Sequence, residues 1–313
     1  MSSDLACQTA SAKVKAWLSS LRAPFLTASA MPALVGASAA YWHKGLFDFN
    51  RFLLSLSGVL CIHLGANLLN DFFDDLTGCD RINLEPTPFS GGSRVIQRKW
   101  LSPSVILISS IGFFGIGIFE GLLLNSMVPG NIILKIGLAG LACGVLYTAL
   151  PVKLSYRGLG EVAVLLAFGP LLVAGTYVAQ TSRIDSFIFL VGLPPGLLVA
   201  SILLINEVLD VRWDALAQKR NLVVMLGLRR GLILYLLAFF GAYACLVLGA
   251  FAGVFPRLAL IGFLPGIPTM AAIVRGGLTR DRQAMIRLSG MTIMSQTFTT
   301  GLIALGFLLS NLV

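Results

Sequence analysis

The amino-acid sequence predicts an all-α, polytopic membrane protein with about nine transmembrane helices around a central cavity. The chain has 313 residues, of which 57% are hydrophobic and 12% are charged, and its mean hydropathy is +0.87. Its apolar runs repeatedly reach about 20 residues, the length that an α-helix needs to cross a bilayer. Short segments of alternating polarity, typical of membrane β-barrels, are not evident in the sequence. Because backbone groups in lipid must be hydrogen-bonded internally, helices are the remaining solution.

The segment before the first apolar run is short and amphipathic. Residues 1–22 combine Trp17 and Leu18 with Lys15 and Arg22, a pattern typical of a helix that lies on the cytoplasmic membrane surface. Beyond it we expect one transmembrane domain, so that residues 1–313 form a single domain. We place the nine spans near residues 24–43, 50–72, 104–126, 131–150, 159–181, 186–208, 231–253, 256–274 and 286–310.

The net charge of +9 is distributed in the way that membrane topology requires, which argues against a nucleic-acid partner. Eighteen of the 23 Lys and Arg residues fall in the N-terminal segment or around the loops after the second, fourth, sixth and eighth spans. Positive residues concentrate on the cytoplasmic side of membrane proteins. We therefore expect a multi-pass protein of the cell (inner) membrane, with these loops in the cytoplasm. The five cysteines show no CxxC spacing, so neither a zinc site nor a disulfide framework is indicated.

Carboxylates are scarce in this chain, yet they are concentrated in two clusters far apart in the sequence. The first cluster is residues 67–80 (NLLNDFFDDLTGCD), which contains four aspartates within ten residues. The second is residues 206–214 (NEVLDVRWD). Each follows a long apolar run, at the cytoplasmic end of the second and sixth spans. An uncompensated Asp at mid-bilayer costs about 2.5 to 3.5 kcal/mol on insertion scales, so we expect both clusters to face a polar cavity that opens into an apolar one.

The spacing within each cluster places its side chains on one helix face. Asn70 and Asp74 are four residues apart, and Asn206, Asp210 and Asp214 follow at steps of four. Carboxylates stacked in this way repel one another unless a cation lies between them. Oxygen ligands without His or Cys suit Mg²⁺, which typically binds through one or two carboxylates plus substrate phosphates. Two such faces opposite one another would hold a diphosphate through Mg²⁺, and the cavity suits a substrate with a long hydrocarbon tail.

Basic residues accompany both clusters. Arg94 ends the small-residue stretch SGGSR, in which the backbone can approach a phosphate and the guanidinium can pair with it. An ordinary flexible loop is the alternative interpretation. Lys219 and Arg220 follow the second cluster, where they serve either a bridging diphosphate or plain salt bridges. The loop that carries Tyr147 and Lys153 is also explained by positive-inside anchoring and interfacial aromatic residues.

The two acidic motifs resemble those of the UbiA superfamily of intramembrane aromatic prenyltransferases, and the resemblance covers nearly the whole chain. That family carries an Asn- and Asp-rich motif after span 2 and a DxxxD motif after span 6. Within it, the chain is most similar to the branch that prenylates 1,4-dihydroxy-2-naphthoate in menaquinone biosynthesis. The matching stretches are GGSRVIQ at 91–97, YRGLGE at 156–161 and KRNLVV at 219–224.

This resemblance implies Mg²⁺ as cofactor and a set of metal ligands from both clusters: Asn70, Asp74, Asp80, Asn206, Asp210 and Asp214. A literal NxxxDxxxD pattern also fits a second register of the first cluster, namely Asn67, Asp71 and Asp75. The branch pattern favours the first register.

The resemblance further implies a catalytic centre made of Asn70, Asp74, Asp210 and Tyr147, with the tyrosine ring stabilising an allylic cation. It implies that the cations that hold the diphosphate are Arg94, Lys153, Lys219 and Arg220. Relatives often carry a basic residue just before the position of Tyr156, whereas this chain has Ser155. That departure leaves Lys153 as the expected phosphate ligand in its loop.

The function implied is Mg²⁺-dependent transfer of a polyprenyl group from its diphosphate to an aromatic acceptor, with loss of CO₂ in the naphthoate case. Prenylation of 4-hydroxybenzoate, homogentisate or a tetrapyrrole is the alternative within the superfamily. A divalent-cation transporter, with the acids as its conduction site, is the alternative from another class. The sequence leaves the prenyl chain length and the oligomeric state open.

Overall fold

The computed structural model describes residues 10–277 and 281–311, and within them the chain contains helices but no β-strand. Nine helices in this part of the chain are long and apolar enough to cross a membrane. The N-terminal helix α1 spans Ala10–Ser20. The membrane helices α2 to α10 span Ala23–Lys44, Phe49–Leu76, Pro103–Ser126, Pro129–Leu146, Gly160–Thr181, Phe187–Leu216, Leu228–Phe251, Arg257–Gly276 and Arg282–Leu309.

The predicted fold class is confirmed, since the protein is an all-helical, multi-pass membrane protein. The main difference concerns where α3 and α7 end. The predicted spans stop at residues 72 and 208, whereas the helices continue to Leu76 and Leu216 and carry the acidic clusters in their last turns. Residues 1–9 of the predicted N-terminal segment lie outside the described residues.

Capping residues define several helix ends. The Asp48 side chain accepts hydrogen bonds from the backbone N–H groups of Asn50 and Arg51 and so starts α3. Ser102 caps α4 in the same way, just before a proline at the first helical position. After α3, Gly78 adopts a left-handed conformation with φ of 80°. This turn starts the short helix Cys79–Ile82, which lies beside the first acidic cluster.

Helix α7 is the most enclosed of the membrane helices, and α5 is the most exposed. Helix α7 packs against α6, α8 and α10, and its contact with α6 is made through glycines. A Cβ atom on Gly196 would lie 2.5 Å from the backbone oxygen of Leu165, and one on Gly169 would lie 2.5 Å from that of Gly192. Small residues allow such close contact between membrane helices. The close contact places the polar end of α7 inside the bundle rather than at its edge.

The ends of the helices remote from the acidic clusters are tied together by polar side chains. The Tyr177 hydroxyl lies 2.7 Å from His43 Nδ1 and donates a hydrogen bond of 2.5 Å to Asp185 Oδ2. The Gln180 side chain bonds the backbone N–H and carbonyl of Asp48 at 2.6 and 3.1 Å. These bonds connect α2, α3, α6 and the start of α7.

Candidate active site

Both acidic clusters line one cavity of about 240 Å³ at the C-terminal ends of α3 and α7. The short helix Cys79–Ile82 and the loop between it and α4 complete the lining. Among the residues that the structure describes, eight of the predicted site residues line this cavity: Asn70, Asp74, Asp80, Tyr147, Asn206, Asp210, Asp214 and Lys219. Clusters 136 residues apart in the sequence therefore face the same space.

Asp74 of the first cluster is contacted by three different side chains. Its side chain is buried and accepts hydrogen bonds from Asn70 Nδ2 at 3.1 Å and from the Tyr156 hydroxyl at 3.2 Å. Lys219 Nζ, which follows the second cluster in the sequence, lies 3.5 Å from Asp74 Oδ2. One cation from the far half of the chain therefore neutralises the acid at the centre of the first cluster.

The loop after α3 reaches across to the second cluster. Asn83 Nδ2 and Ser90 Oγ both donate to Asp210 Oδ1, at 3.2 and 3.1 Å. The Cys79 thiol lies 3.7 Å from Asp214 Oδ1. These neutral donors hold the α7 carboxylates in place without cancelling their charge, so that the carboxylates keep capacity for a cation.

Asp80, the last residue of the first cluster, lies against a glycine. A Cβ atom on Gly92 would lie 2.3 Å from Asp80 Oδ2, and Gly92 has a φ of +74° that favours glycine. Burial, followed by the nearby charges of Asp74 and Asp71, raises the pKa of Asp80 well above its usual value. A bound cation would relieve that repulsion. Arg94 donates to the backbone carbonyl of Asp80 rather than to its carboxylate.

Two cations from the described part of the chain line the cavity, and the sequence analysis missed one of them. Arg22, just before α2, pairs with Asp71 at 2.5 Å. Burial alone would lower the pKa of Arg22, but Asp71 and Asp80 outweigh that effect and raise it. Burial would likewise lower the pKa of Lys219, yet Asp74 and Asp214 raise it well above its usual value. Both side chains therefore remain positively charged beside the acids.

The remaining predicted cations lie outside the lining of this cavity. Lys153 Nζ sits 4.5 Å from the ring centroid of Tyr156, whose hydroxyl contacts Asp74. Arg220 is exposed. Arg94 contacts the backbone of Asp80, as described above. The structure therefore brings Lys219 into the cavity and leaves the other three at its periphery.

The two registers of the first cluster have different surroundings. Asp71 is held by Arg22 and by the Ser93 side chain, and Asp75 is held by Arg81 at 2.8 Å and by Gln97 at 3.1 Å. Both acids are thus occupied by partners in the protein, outside the cavity lining. Asn70, Asp74 and Asp80 line the cavity, so the geometry favours the register that the branch pattern favours.

The residues present fit a magnesium ion by their chemistry. In the described part of the chain, no group of three or more His, Cys, Asp or Glu side chains forms a ready metal cluster. Mg²⁺ does not need one, because it usually takes one or two carboxylates together with substrate phosphates and water. Among the described residues, five buried carboxylates around one cavity supply hard oxygen donors of this kind: Asp74 and Asp80 from the first cluster, and Glu207, Asp210 and Asp214 from the second.

A second, mostly apolar cavity of about 200 Å³ continues from the first between α3, α4, α5 and α6. Its walls are built from aliphatic side chains and several glycines, such as Gly117, Gly137 and Gly140. Among the described residues, five line both cavities and so mark their junction: His63, Ala66, Gly144, Ala167 and Phe168. The site therefore combines a polar end with an apolar extension into the bundle.

Other cavity residues lay outside the predicted set. Asn67, Asn83, Ser90 and Glu207 all line the polar cavity. Glu207 follows Asn206 directly, and its position on α7 was a usable signal. Asn83 and Ser90 lie in a loop whose course depends on distant contacts. The stretch SGGSR, which begins at Ser90, was singled out for its small residues and its arginine, but nothing in the local sequence indicated that the Ser90 hydroxyl contacts Asp210.

Comparison with known proteins places the chain in a class. The model of the UbiA prenyltransferase family matches residues 29–296, and the chain belongs to that family. It is a membrane prenyltransferase, which confirms the resemblance seen in its motifs and removes the transporter alternative.

Two relatives carry the same name, 1,4-dihydroxy-2-naphthoate octaprenyltransferase. The protein from Bacillus subtilis is 28% identical over 91% of this chain and 89% of its own length. The protein from Mycobacterium tuberculosis is 30% identical over 70% of this chain and 72% of its own length. The 2-carboxy-1,4-naphthoquinone phytyltransferase of Synechocystis is 27% identical over 88% of this chain and 86% of its own length.

Solved structures share the fold at lower sequence identity. A digeranylgeranylglyceryl phosphate synthase has a TM-score of 0.64 at 16% identity, covering 95% of this chain and 99% of its own. A UbiA homolog from Archaeoglobus fulgidus, bound to GPP and Mg²⁺, has a TM-score of 0.61 at 16% identity, covering 92% of this chain and 99% of its own. These likenesses confirm the arrangement of the membrane helices.

Proposed function

We propose that the protein transfers a polyprenyl group from polyprenyl diphosphate to 1,4-dihydroxy-2-naphthoate, with loss of CO₂, to give demethylmenaquinol, the hydroquinone form of demethylmenaquinone. The observation that carries the proposal is the convergence of two acidic clusters on one polar cavity that continues into an apolar one. Such a cavity matches a substrate with a diphosphate head and a hydrocarbon tail. The naphthoate names of the relatives support the acceptor, and GPP and Mg²⁺ in the Archaeoglobus homolog support the donor and the metal.

We assign the magnesium ligands to the two faces that line the cavity: Asn70, Asp74, Asp80, Asn206, Asp210 and Asp214. When bound, Mg²⁺ supplies charge neutralisation to a leaving diphosphate. Lys219 adds a fixed positive charge at the same place, and its raised pKa keeps it charged. The predicted diphosphate contacts of Arg94, Lys153 and Arg220 stay predictions, because these residues lie outside the lining of the cavity.

The chemistry follows from this placement. The allylic carbon–oxygen bond breaks and the diphosphate leaves with the electron pair, beside Lys219 and the carboxylate sites. The apolar cavity holds the tail and keeps water from the allylic cation. Burial and the nearby charge of Glu207 raise the pKa of Tyr147, so its neutral ring is available for a cation–π contact worth about 0.5 to 2 kcal/mol. The ring carbon that bears the carboxylate then bonds to the allylic carbon. The bond from that ring carbon to the carboxylate breaks, CO₂ leaves, and the electron pair of the broken bond restores the aromatic ring.

The direct experiment is an acceptor panel with one prenyl diphosphate and the purified protein in lipid. Naphthoate labelled at its carboxyl carbon should release labelled CO₂ in step with prenylated product, and chelation of divalent ions should stop both. Prenylation of 4-hydroxybenzoate, homogentisate or a tetrapyrrole with no reaction of naphthoate would replace the acceptor named here while keeping the reaction class.

The positive loops adjoin the acidic ends of α3 and α7. We therefore propose that the cavity opens towards the cytoplasm from a cell (inner) membrane, and that the chain is one transmembrane domain. Labelling of single cysteines in those loops from either side of sealed vesicles tests the orientation.

A further inference from the structure

The junction between the two cavities carries a single polar side chain among the described residues. Of the five residues that line both cavities, four are Ala, Gly or Phe, and the fifth is His63. Its side chain is almost fully enclosed, with an exposed fraction of 9%. A polar group in such a place is costly unless it has a partner.

The His63 ring is held in one orientation. Its Nδ1 lies 2.8 Å from Ser29 Oγ on α2, and both residues are buried. The ring packs edge-on against Phe168, with centroids 4.9 Å apart. Among the hydrogen bonds of the described residues, none involves the other ring nitrogen, Nε2. The fully enclosed polar atoms that lack a partner do not include Nε2. This nitrogen therefore has exposed surface, which is accessible to the cavity.

The junction is also where the new bond must form. The diphosphate end of the donor belongs with the carboxylates, and its tail belongs in the apolar cavity. The first carbon of the prenyl chain, which joins the two, therefore lies near their boundary. The acceptor ring has to reach that carbon, so it must lie within reach of His63.

We propose that His63 is a specificity-determining residue that holds a ring hydroxyl of the aromatic acceptor through Nε2. The proposal rests on the proposed function, since it requires a hydroxylated aromatic acceptor. A neutral imidazole nitrogen serves as either hydrogen-bond donor or acceptor, and because Nδ1 is engaged by Ser29, Nε2 is the nitrogen left to bond the acceptor. A residue that only fills space would make no distinction between acceptors with and without the hydroxyl.

Two substitutions separate the two ring nitrogens. His63→Asn keeps a polar group near the position of Nδ1 and loses the one at Nε2, whereas His63→Gln keeps a group near Nε2. We expect His63→Asn to lower kcat/KM for 1,4-dihydroxy-2-naphthoate by about tenfold, the effect of one buried hydrogen bond. His63→Gln should recover most of the loss. The KM for the prenyl diphosphate should stay unchanged in both, which also shows that the variants fold.

The decisive readout combines these variants with acceptors that lack one hydroxyl, 1-hydroxy-2-naphthoate and 4-hydroxy-2-naphthoate. The wild-type protein should discriminate by about tenfold more than His63→Asn against the analogue that lacks the contacted hydroxyl. Discrimination that is equal in both proteins overturns the proposal, as does an effect on the KM of the prenyl diphosphate instead of the acceptor. His43→Asn, which changes the only other histidine and lies at the opposite end of the bundle, should behave like the wild type.

The proposed function and this inference fail in distinguishable ways. If the wild-type protein prenylates another hydroxylated aromatic acid and not naphthoate, the acceptor assignment fails. The same comparison is then made with that acid and its analogue that lacks the hydroxyl. If the wild-type protein turns over the acceptor and His63→Asn retains full discrimination, only the inference about His63 fails.

Discussion

The two ends of the helix bundle use polar side chains in opposite ways. At the end remote from the acidic clusters, the Tyr177 hydroxyl forms hydrogen bonds with His43 and Asp185 and so links α2, α6 and the segment before α7. At the other end, Asp74 and Asp210 are buried to a similar degree as many core residues, yet they face a cavity. The first arrangement satisfies its polar groups internally, and the second leaves charge available for a ligand.

Under the proposed function, this chain with few charges divides them between structure and catalysis. Within the first cluster itself, Asp71 and Asp75 are paired with Arg22 and Arg81 and serve the fold. Asp74 lies between them in the sequence and lines the cavity. Burial alone therefore does not identify the functional acids, whereas the direction each one faces does.

The largest expected effect belongs to the acids that face the cavity. Asp74→Ala or Asp210→Ala should lower prenyl transfer by about 100-fold or more, because each removes a ligand of the Mg²⁺ that would stabilise the leaving diphosphate. The measurement is the rate of product formation at saturating Mg²⁺, together with circular dichroism to show that the helices remain. Near-normal turnover in either variant would show that the metal assignment is wrong. Asp185→Asn, at the opposite end, provides the matched control and should keep wild-type turnover.

The second expected effect separates the two adjacent cations. Lys219→Gln removes the charge 3.5 Å from Asp74 and should lower kcat/KM for the prenyl diphosphate by about tenfold or more. Arg220→Gln changes an exposed side chain and should alter kcat/KM for the prenyl diphosphate by less than about twofold. Equal losses in the two variants would mean that the loop after α7 moves to bring Arg220 to the diphosphate.

Much of this architecture is readable from the sequence because its causes are local. Runs of apolar residues predict the nine spans, and steps of four predict that Asn206, Asp210 and Asp214 share a face. The ends of α3 and α7 were placed too early, since the prediction stopped each span where charged residues began. In the protein those charges face a cavity, so the helix continues through them to Leu76 and Leu216.

The rest of the site depends on contacts between distant segments. Arg22 reaches the cavity because the turn before α2 packs beside α3, and Ser90 reaches Asp210 because its loop crosses to α7. Residue type and spacing cannot show which side of a loop faces inwards. For that reason the resemblance and the adjacent small residues could assign Arg94 and Lys153 to the diphosphate but could not show where their side chains lie, and in the structure both lie outside the lining of the cavity.

The smallest expected effect lies at the end of the bundle remote from the acidic clusters. Tyr177→Phe removes the hydroxyl that bonds His43 and Asp185 and should lower the free energy of unfolding by about 1 kcal/mol. Turnover per folded molecule should be unchanged. Thermal unfolding in detergent and activity in lipid measure the two quantities separately. A loss of turnover without a loss of stability would contradict the division of roles between the two ends.

The central claim is that the two acidic clusters hold one ligand between them, and a double-mutant cycle tests it most directly. The affinity for prenyl diphosphate is measured with and without Mg²⁺ in Asp74→Asn, Asp210→Asn and the double variant. If both acids serve one metal–diphosphate unit, each single variant loses most of the Mg²⁺-dependent affinity and the double variant loses little more. Losses that simply add, or a Mg²⁺-dependent affinity that survives intact in Asp210→Asn, would contradict the account.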